Sequence, residues 1–391
     1  MDKATFGDPK RSFKKQKGTV DGLERSTVAG LDEASALLRA SKRVMATSDW
    51  GLYGGLAGMA VFLAQVSEET HDSRFSSAAE AMLNTAWEGF LRSESPQIGL
   101  SDGIAGLAYA ASIVARSTGH RNIADLATQN LVKIKPSDKR TLENDLDLLA
   151  GSCGVLLSAL RLASVSRLPT LNILIESLTS RVLKASKIVV ESANNPPGVL
   201  FGMSHGLSGA ALTLATCYEV SGREDCLHTA IALAKAETAR GYIKPFGWID
   251  LRHTVPTFTN SWCHGAAGIG LARLQLWRLA PEDDVIRSDL IEAVRLCGDV
   301  CLEIDQPCCG ELGRISLLSA VARESGSKAL ANLAAVRARN LLNRREELGY
   351  FRNGASGPAN GWGLFQGRAG IGYSLMVAGG LPMGRSFLEF P

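Results

Sequence analysis

Four stretches of this sequence carry side chains able to move protons or hold a metal ion, and each stands just ahead of a Gly-x-x-Gly pair. Asp147 lies four residues before Gly151. His205 directly precedes Gly206. Trp262-Cys263-His264 runs into Gly265, and Cys308-Cys309 into Gly310. Three thiols can bind zinc, which takes four ligands and, in catalytic sites, keeps one position open. A thiol at a helix N-terminus ionises more readily, because the helix dipole favours the thiolate that coordinates metal. Adjacent cysteines make poor disulfide partners, so Cys308-Cys309 reads better as a metal-binding pair than as a bridge. The competing reading is packing, since free cysteine behaves as a small hydrophobe, and there is no Cys-x-x-Cys pair. His205 can give or take a proton near neutral pH. Asp147 could hold its ring or steer a substrate, with Asp145 two residues away. His264 is either a site residue or a helix cap, and His253 sits undecided in a long loop.

The remaining candidates read as structural. Cys297 and Cys301, four apart on an expected outer helix, suit one apolar stripe better than a metal. Cys217 and Cys226 flank a loop with no evident partner. Cys153, inside a glycine pair, suits a crowded contact. His71, His120 and His228 fall in outer elements and read as surface residues.

These residues meet only if the chain is built to gather them. Glycine pairs recur at Gly55/Gly58, Gly103/Gly106, Gly151/Gly154, Gly206/Gly209, Gly265/Gly268, Gly310/Gly313 and Gly367/Gly370, at intervals of 48, 48, 55, 59, 45 and 57 residues. A period of this size marks a repeat architecture. Each pair opens a segment apolar on all sides, such as Met59-Ala-Val-Phe-Leu-Ala64, which reads as a buried helix. Longer amphipathic segments precede the pairs, at about 31–46, 74–92, 121–134, 171–193, 224–241, 284–304 and 327–347. Strand signals are almost absent, so the fold class is all-α. Alternation makes the inner helices parallel and gathers their N-termini on one rim. The simplest architecture is a closed ring of seven inner and seven outer helices; an open solenoid would leave the first and last repeats apart. The longest loops, 194–205, 242–264 and 349–366, precede the fourth, fifth and seventh inner helices, and long loops on one face usually carry binding functions.

Composition narrows the classes. The apolar fraction of 46% is ample for a large core, and a net charge of +3, from 42 basic and 39 acidic residues, gives no nucleic-acid footprint. The exception is the basic run at 10–17, a solvated tail or an arm for an acidic partner. No secretory signal or membrane span is evident. Eight cysteines are too sparse for a disulfide scaffold, so a reduced cytoplasmic compartment fits.

The segments Asp147-Leu-Leu-Ala-Gly151, Ser204-His205-Gly206, Ser261-Trp-Cys-His-Gly265, Cys308-Cys309-Gly310 and Gly363-Leu-Phe-Gln-Gly-Arg-Ala-Gly-Ile-Gly372 resemble the lanthionine synthetase C-like cyclases. The resemblance runs from about residue 45 to the C-terminus and is strongest to the cyclase domain of class II lanthipeptide synthetases. Residues 1–25 read as a disordered basic tail, and the resemblance implies an α/α toroid for the single domain over 26–391. It implies addition of peptide cysteine thiols to dehydroalanine or dehydrobutyrine, giving lanthionine and methyllanthionine rings, a carbon–sulfur bond-forming reaction. Cys263, Cys308 and Cys309 would then be zinc ligands, with His205 and Asp147 catalytic. The implied partner is a dehydrated precursor peptide, with dehydration supplied by a separate dehydratase or by an N-terminal domain from which this chain is excised. Two departures stand out. Most members carry histidine where Cys309 stands, although a Cys-Cys-Gly subgroup exists, and three thiolates should leave a bound substrate thiolate more nucleophilic. Stand-alone cyclases often carry arginine at the position of Thr259. Glutathione addition and a non-catalytic, zinc-containing peptide scaffold are the alternatives.

Overall fold

A computed structural model describes residues 18–94, 97–133, 141–299, 301–353, 361–380 and 385–390. Every glycine pair opens a helix whose first turns are buried, Arg368 of the last excepted: α2 Leu56–Thr70, α4 Ile104–Thr118, α7 Ser152–Ala163, α9 Leu207–Ser221, α11 Ala266–Leu279, α13 Glu311–Ser325 and α15 Arg368–Ala378. Amphipathic helices lie between them: α1 Gly18–Thr47, α3 Ser73–Leu91, α5 Arg121–Leu131, α8 Leu171–Glu191, α10 Glu224–Gly241, α12 Asp284–Asp299 and α14 Lys328–Leu348. A short helix, α6 Leu142–Leu146, precedes α7. Each inner helix touches the next, and α15 packs back on α2. The ring is therefore closed, and the fold is an α/α toroid.

Each outer helix packs chiefly on the inner helix before it, which leaves α15 without a successor. The first helix fills that gap: α1 lies on α15 and against α14. Arg25 pairs with Glu346 at 2.7 Å and donates to Asn343 at 3.1 Å, tying the chain's two halves across the seam. Residues 18–25 are thus the first turns of α1, which shortens the tail expected at 1–25. The sequence hides this because the buried stripe begins with small residues, Ser26 and Gly30. A Cβ at Gly30 would meet Met376 and the Gly372 carbonyl, so small size lets α1 approach α15. The basic run 10–17 lies outside the described residues.

The loops before the inner helices are joined in a circuit. Tyr53 N–H donates to Ser101 O (2.9 Å), Ser101 to Leu149 O (2.9 Å), Leu149 to Ser204 O (3.1 Å) and Ser204 to Cys263 O (3.0 Å). Cys263 donates to Cys308 O (3.3 Å), Cys308 to Phe365 O (3.1 Å), and Phe365 back to Tyr53 O (3.1 Å). Buried backbone groups need partners, and here each loop supplies the next one's. The glycine pairs give the clearance. The backbone at Gly265 is extended, a shape other residues adopt, so space decides. A Cβ at Gly268 would run into the Trp262 carbonyl and into Met203 of the preceding repeat.

Two features were not expected. The loop 242–264 contains a small antiparallel sheet, β1 Tyr242–Ile243, β2 Gly247–Asp250 and β3 Thr257–Phe258, in the order β1-β2-β3. Its pairs include Tyr242↔Trp248 and Asp250↔Thr257, and Trp248 is buried with Nε1 on Thr238. Residues 386–390 fill the middle of the ring. Phe390 meets Tyr109 of α4, Trp262 before α11 and Phe365 before α15. Glu389 pairs with Arg278 of α11 and Arg323 of α13 at 3.2 and 3.0 Å. Among the described residues no helix is long and apolar enough to cross a membrane.

Overpacking of this kind costs about 1–3 kcal/mol, so Gly268→Ala should lower stability by that amount in urea unfolding. At Gly54, where an added Cβ meets nothing within 4 Å, alanine should stay within about 0.5 kcal/mol of the parent.

Candidate active site

The circuit carries Cys263 and Cys308 as consecutive members, and Cys309 follows. Their sulfurs lie within 4.8 Å of one another. Cys263 Sγ is 3.5 Å from Cys309 Sγ, which is 3.6 Å from Cys308 Sγ. Four-coordinate zinc with Zn–S bonds of about 2.3 Å sets tetrahedral sulfurs about 3.8 Å apart, so the three thiols fit one face of such an ion. Among the described residues no fourth metal-ligating side chain joins the group. Cys263 and Cys308 are buried; Cys309 is half-buried. Thiol hydrogen bonds from Cys263 and then Cys308 hold Cys309 well below the ordinary thiol range, at about 3. Its own thiol bonds, to Cys263 and then Cys309, together with burial, push Cys308 up. The cluster thus ionises first at Cys309.

Polar groups fix the thiols in turn. Gln306 Oε1 accepts from Cys309 N–H at 3.0 Å. Ser261 Oγ lies 3.4 Å from Cys263 Sγ, and the Tyr53 hydroxyl lies 3.2 Å from Cys308 Sγ. Burial, followed by the charge of Cys308, pushes the Tyr53 pKa far above its usual value. Behind the fourth loop stands a buried charge network. Glu237 on α10 accepts from the Gly202 and Ser208 backbones at 2.8 and 3.2 Å. Fully buried Arg273 pairs with Glu237 and Asp289, both at 2.9 Å. Removing one member would strand a buried charge.

His205 and Asp147 meet, although 58 residues apart: Nδ1 lies 2.8 Å from Oδ2. Asp147 caps the end of α6 and accepts from the Ala150 N–H at 2.7 Å through its other oxygen. Asp145 instead faces Arg181 and Ser152 and is buried, so the two neighbouring carboxylates take different partners. His264 does not cap its helix, because Gly265 holds that position. Its ring stacks on His205 with centroids 5.6 Å apart, and Nε2 meets Ser204 Oγ at 3.2 Å. It therefore bridges the His205 loop to Cys263.

Several expectations change. Cys217 and Cys226 are partners, with sulfurs 3.5 Å apart. Cys297 and Cys301 share no helix face, because α12 ends at Asp299 and Cys301 is exposed while Cys297 is buried. His253 lies 3.8 Å from Asp250. Arg252 forks onto Asp250 at 3.0 and 2.6 Å. That bond raises the Arg252 pKa above its ordinary value. Tyr53 and Arg252 carried no signal because neither stands directly ahead of a cysteine-bearing glycine pair; Gln306, four residues before Gly310 like Asp147 before Gly151, carried none because an amide neither ionises nor commonly ligates zinc.

A family model described as Lanthionine synthetase C-like protein matches residues 47–378. The lacticin 481/lactococcin biosynthesis protein LcnDR2 of Lactococcus lactis subsp. lactis is 24% identical over 158 residues, which is 40% of this chain and 16% of that protein. The match thus spans about a sixth of that relative's length. The solved structure of nisin cyclase superposes with a TM-score of 0.65 at 15% identity, covering 88% of this chain and 92% of that one, and so shares the fold.

Burial, reinforced by the charge of Arg252, lowers the His264 pKa from 6.5 to about 4. Between those values the unfolded chain binds a proton that the folded chain refuses. The contribution is complete above pH 6.5 and is lost as pH falls towards 4, a change of up to about 3 kcal/mol. Urea unfolding of the metal-free chain at pH 7 and 4.5 should show a smaller stability difference for His264→Gln than for the parent. Equal differences would remove His264 from the acid response.

Proposed function

The chain belongs to the lanthionine synthetase C-like family, and from that premise we propose that it is a zinc-dependent lanthipeptide cyclase. Its substrate is a dehydrated precursor peptide. It adds peptide cysteine thiols to dehydroalanine or dehydrobutyrine and closes lanthionine and methyllanthionine rings. The observation that carries this reading is the three-sulfur cluster, without a fourth side-chain ligand among the described residues, on the same rim as a histidine–carboxylate pair. Cys263, Cys308 and Cys309 hold the ion. Bound zinc supplies Lewis acidity, lowering the pKa of an incoming thiol and keeping its thiolate near the target.

The chain's own residues then manage protons and charge. Asp147 accepts the Nδ1–H of His205, which fixes the tautomer and leaves Nε2 to face the substrate. Nε2 takes the proton of the incoming thiol. The sulfur bonds to Cβ of the dehydro residue, and the alkene pair moves through Cα towards the carbonyl oxygen. His205 returns the proton to Cα, so the thioether forms with no net gain or loss of protons. His264, neutral at pH 7, packs on the His205 ring without competing for its proton.

Cys309→Ala should lose zinc and ring formation while keeping the parent's helical circular dichroism. Metal analysis, and mass spectrometry of alkylated peptide products, read the two outcomes; full zinc with full activity would remove Cys309 from the ligand set. His205→Asn should keep zinc and slow ring closure by about 10²–10⁴-fold, the usual worth of general acid–base catalysis. An unchanged rate and product pattern would deny it the proton. Glutathione adducts in place of rings would redirect the reading to an intermolecular thiol addition.

A further inference from the structure

Tyr53 belongs to the first repeat, yet its hydroxyl donates towards Cys308 Sγ of the sixth, 255 residues away, at 3.2 Å. Little freedom remains in that arrangement. The phenol ring stacks on Phe365 with centroids 4.8 Å apart and planes 4° from parallel. The Tyr53 backbone N–H and carbonyl are both engaged in the rim circuit, with Ser101 and Phe365.

We propose that Tyr53 is a positioning residue for the metal centre, its hydroxyl donating to the Cys308 thiolate and so making a sulfur-only ligand set tenable. The inference rests on the zinc reading and deepens it. Three thiolates around a divalent cation leave a net negative charge, and a buried charge costs free energy unless hydrogen-bonded. Each buried ligand has a hydroxyl at its sulfur: Ser261 beside Cys263 and Tyr53 beside Cys308. Cys309, the half-buried ligand, has the Gln306 side chain at its sulfur instead. A hydrogen bond to a thiolate draws charge from the sulfur, fixes its direction and leaves the ion a stronger acceptor for a fourth, incoming sulfur. Partners of this kind are worth about 10–100-fold in metal affinity.

Tyr53→Phe removes the hydroxyl and keeps the stack on Phe365. Zinc affinity of parent and variant is read by chelator competition, and both are loaded with cobalt(II) to record the thiolate-to-metal charge-transfer band. The variant should bind zinc about 10–100-fold more weakly, shift the band to lower energy because the sulfur is more electron-rich, and unfold like the parent when metal-free. Equal affinity with an unmoved band would overturn the inference alone. Weaker binding with an unmoved band would mark a packing role and overturn it as well. A parent that takes up neither zinc nor cobalt would sink the zinc reading first.

Discussion

The molecule is organised by a closed circuit of backbone hydrogen bonds running from each rim loop to the next, through Tyr53, Ser101, Leu149, Ser204, Cys263, Cys308 and Phe365. Each bond needs neighbouring loops to approach closely, and the glycine pairs make that possible. Each also satisfies a backbone donor that burial would otherwise leave stranded. Because the circuit closes, the height and orientation of every loop are set by both neighbours. A histidine, a carboxylate and three thiols from four repeats then converge without a dedicated binding domain. At the seam α15 packs on α2, and α1 covers α15 from outside, so the two ends of the described chain meet there.

Inside that frame the chemistry divides between two kinds of surroundings. Cys263 follows Trp262, and the Cys308 N–H donates to the Phe365 carbonyl; the Trp262 and Phe365 rings pack on each other and on Phe390 in the ring's centre. His205 stands more open, its side chain 38% exposed, with Asp147 at 18%. A buried, hydrogen-bonded sulfur face beside a solvent-reaching histidine suits the proposed reaction, in which a sulfur is held and a carbon is protonated. The buried Arg273–Glu237–Asp289 network ties α10 and α12 to the His205 loop, so the outer ring steadies that loop from behind.

Much of this was legible in the sequence because the repeat is periodic. The glycine pairs marked all seven inner helices, and outer spans such as 224–241 match the observed α10 residue for residue. The meeting of Asp147 with His205 followed from placing N-termini on one rim. What stayed hidden lacked a period. The strands of 242–258 are two to four residues long, too short to alternate. The start of α1 is masked by Ser26 and Gly30, whose role is closeness rather than hydrophobicity. Tyr53 sits two residues before an ordinary glycine pair and reaches its cysteine only through ring closure. Cys217 and Cys226 looked partnerless because a helix end and a helix start, nine residues apart, turn them face to face.

The central claim is that three protein sulfurs hold one zinc ion and that a fourth place belongs to the substrate thiol. X-ray absorption at the zinc edge tests it most directly, on the zinc-loaded chain before and after adding a dehydrated, cysteine-containing peptide. The account predicts three sulfurs at about 2.3 Å with one lighter atom at first, and four sulfurs once the peptide binds. A first shell already closed by four protein ligands, unchanged on adding peptide, would contradict it.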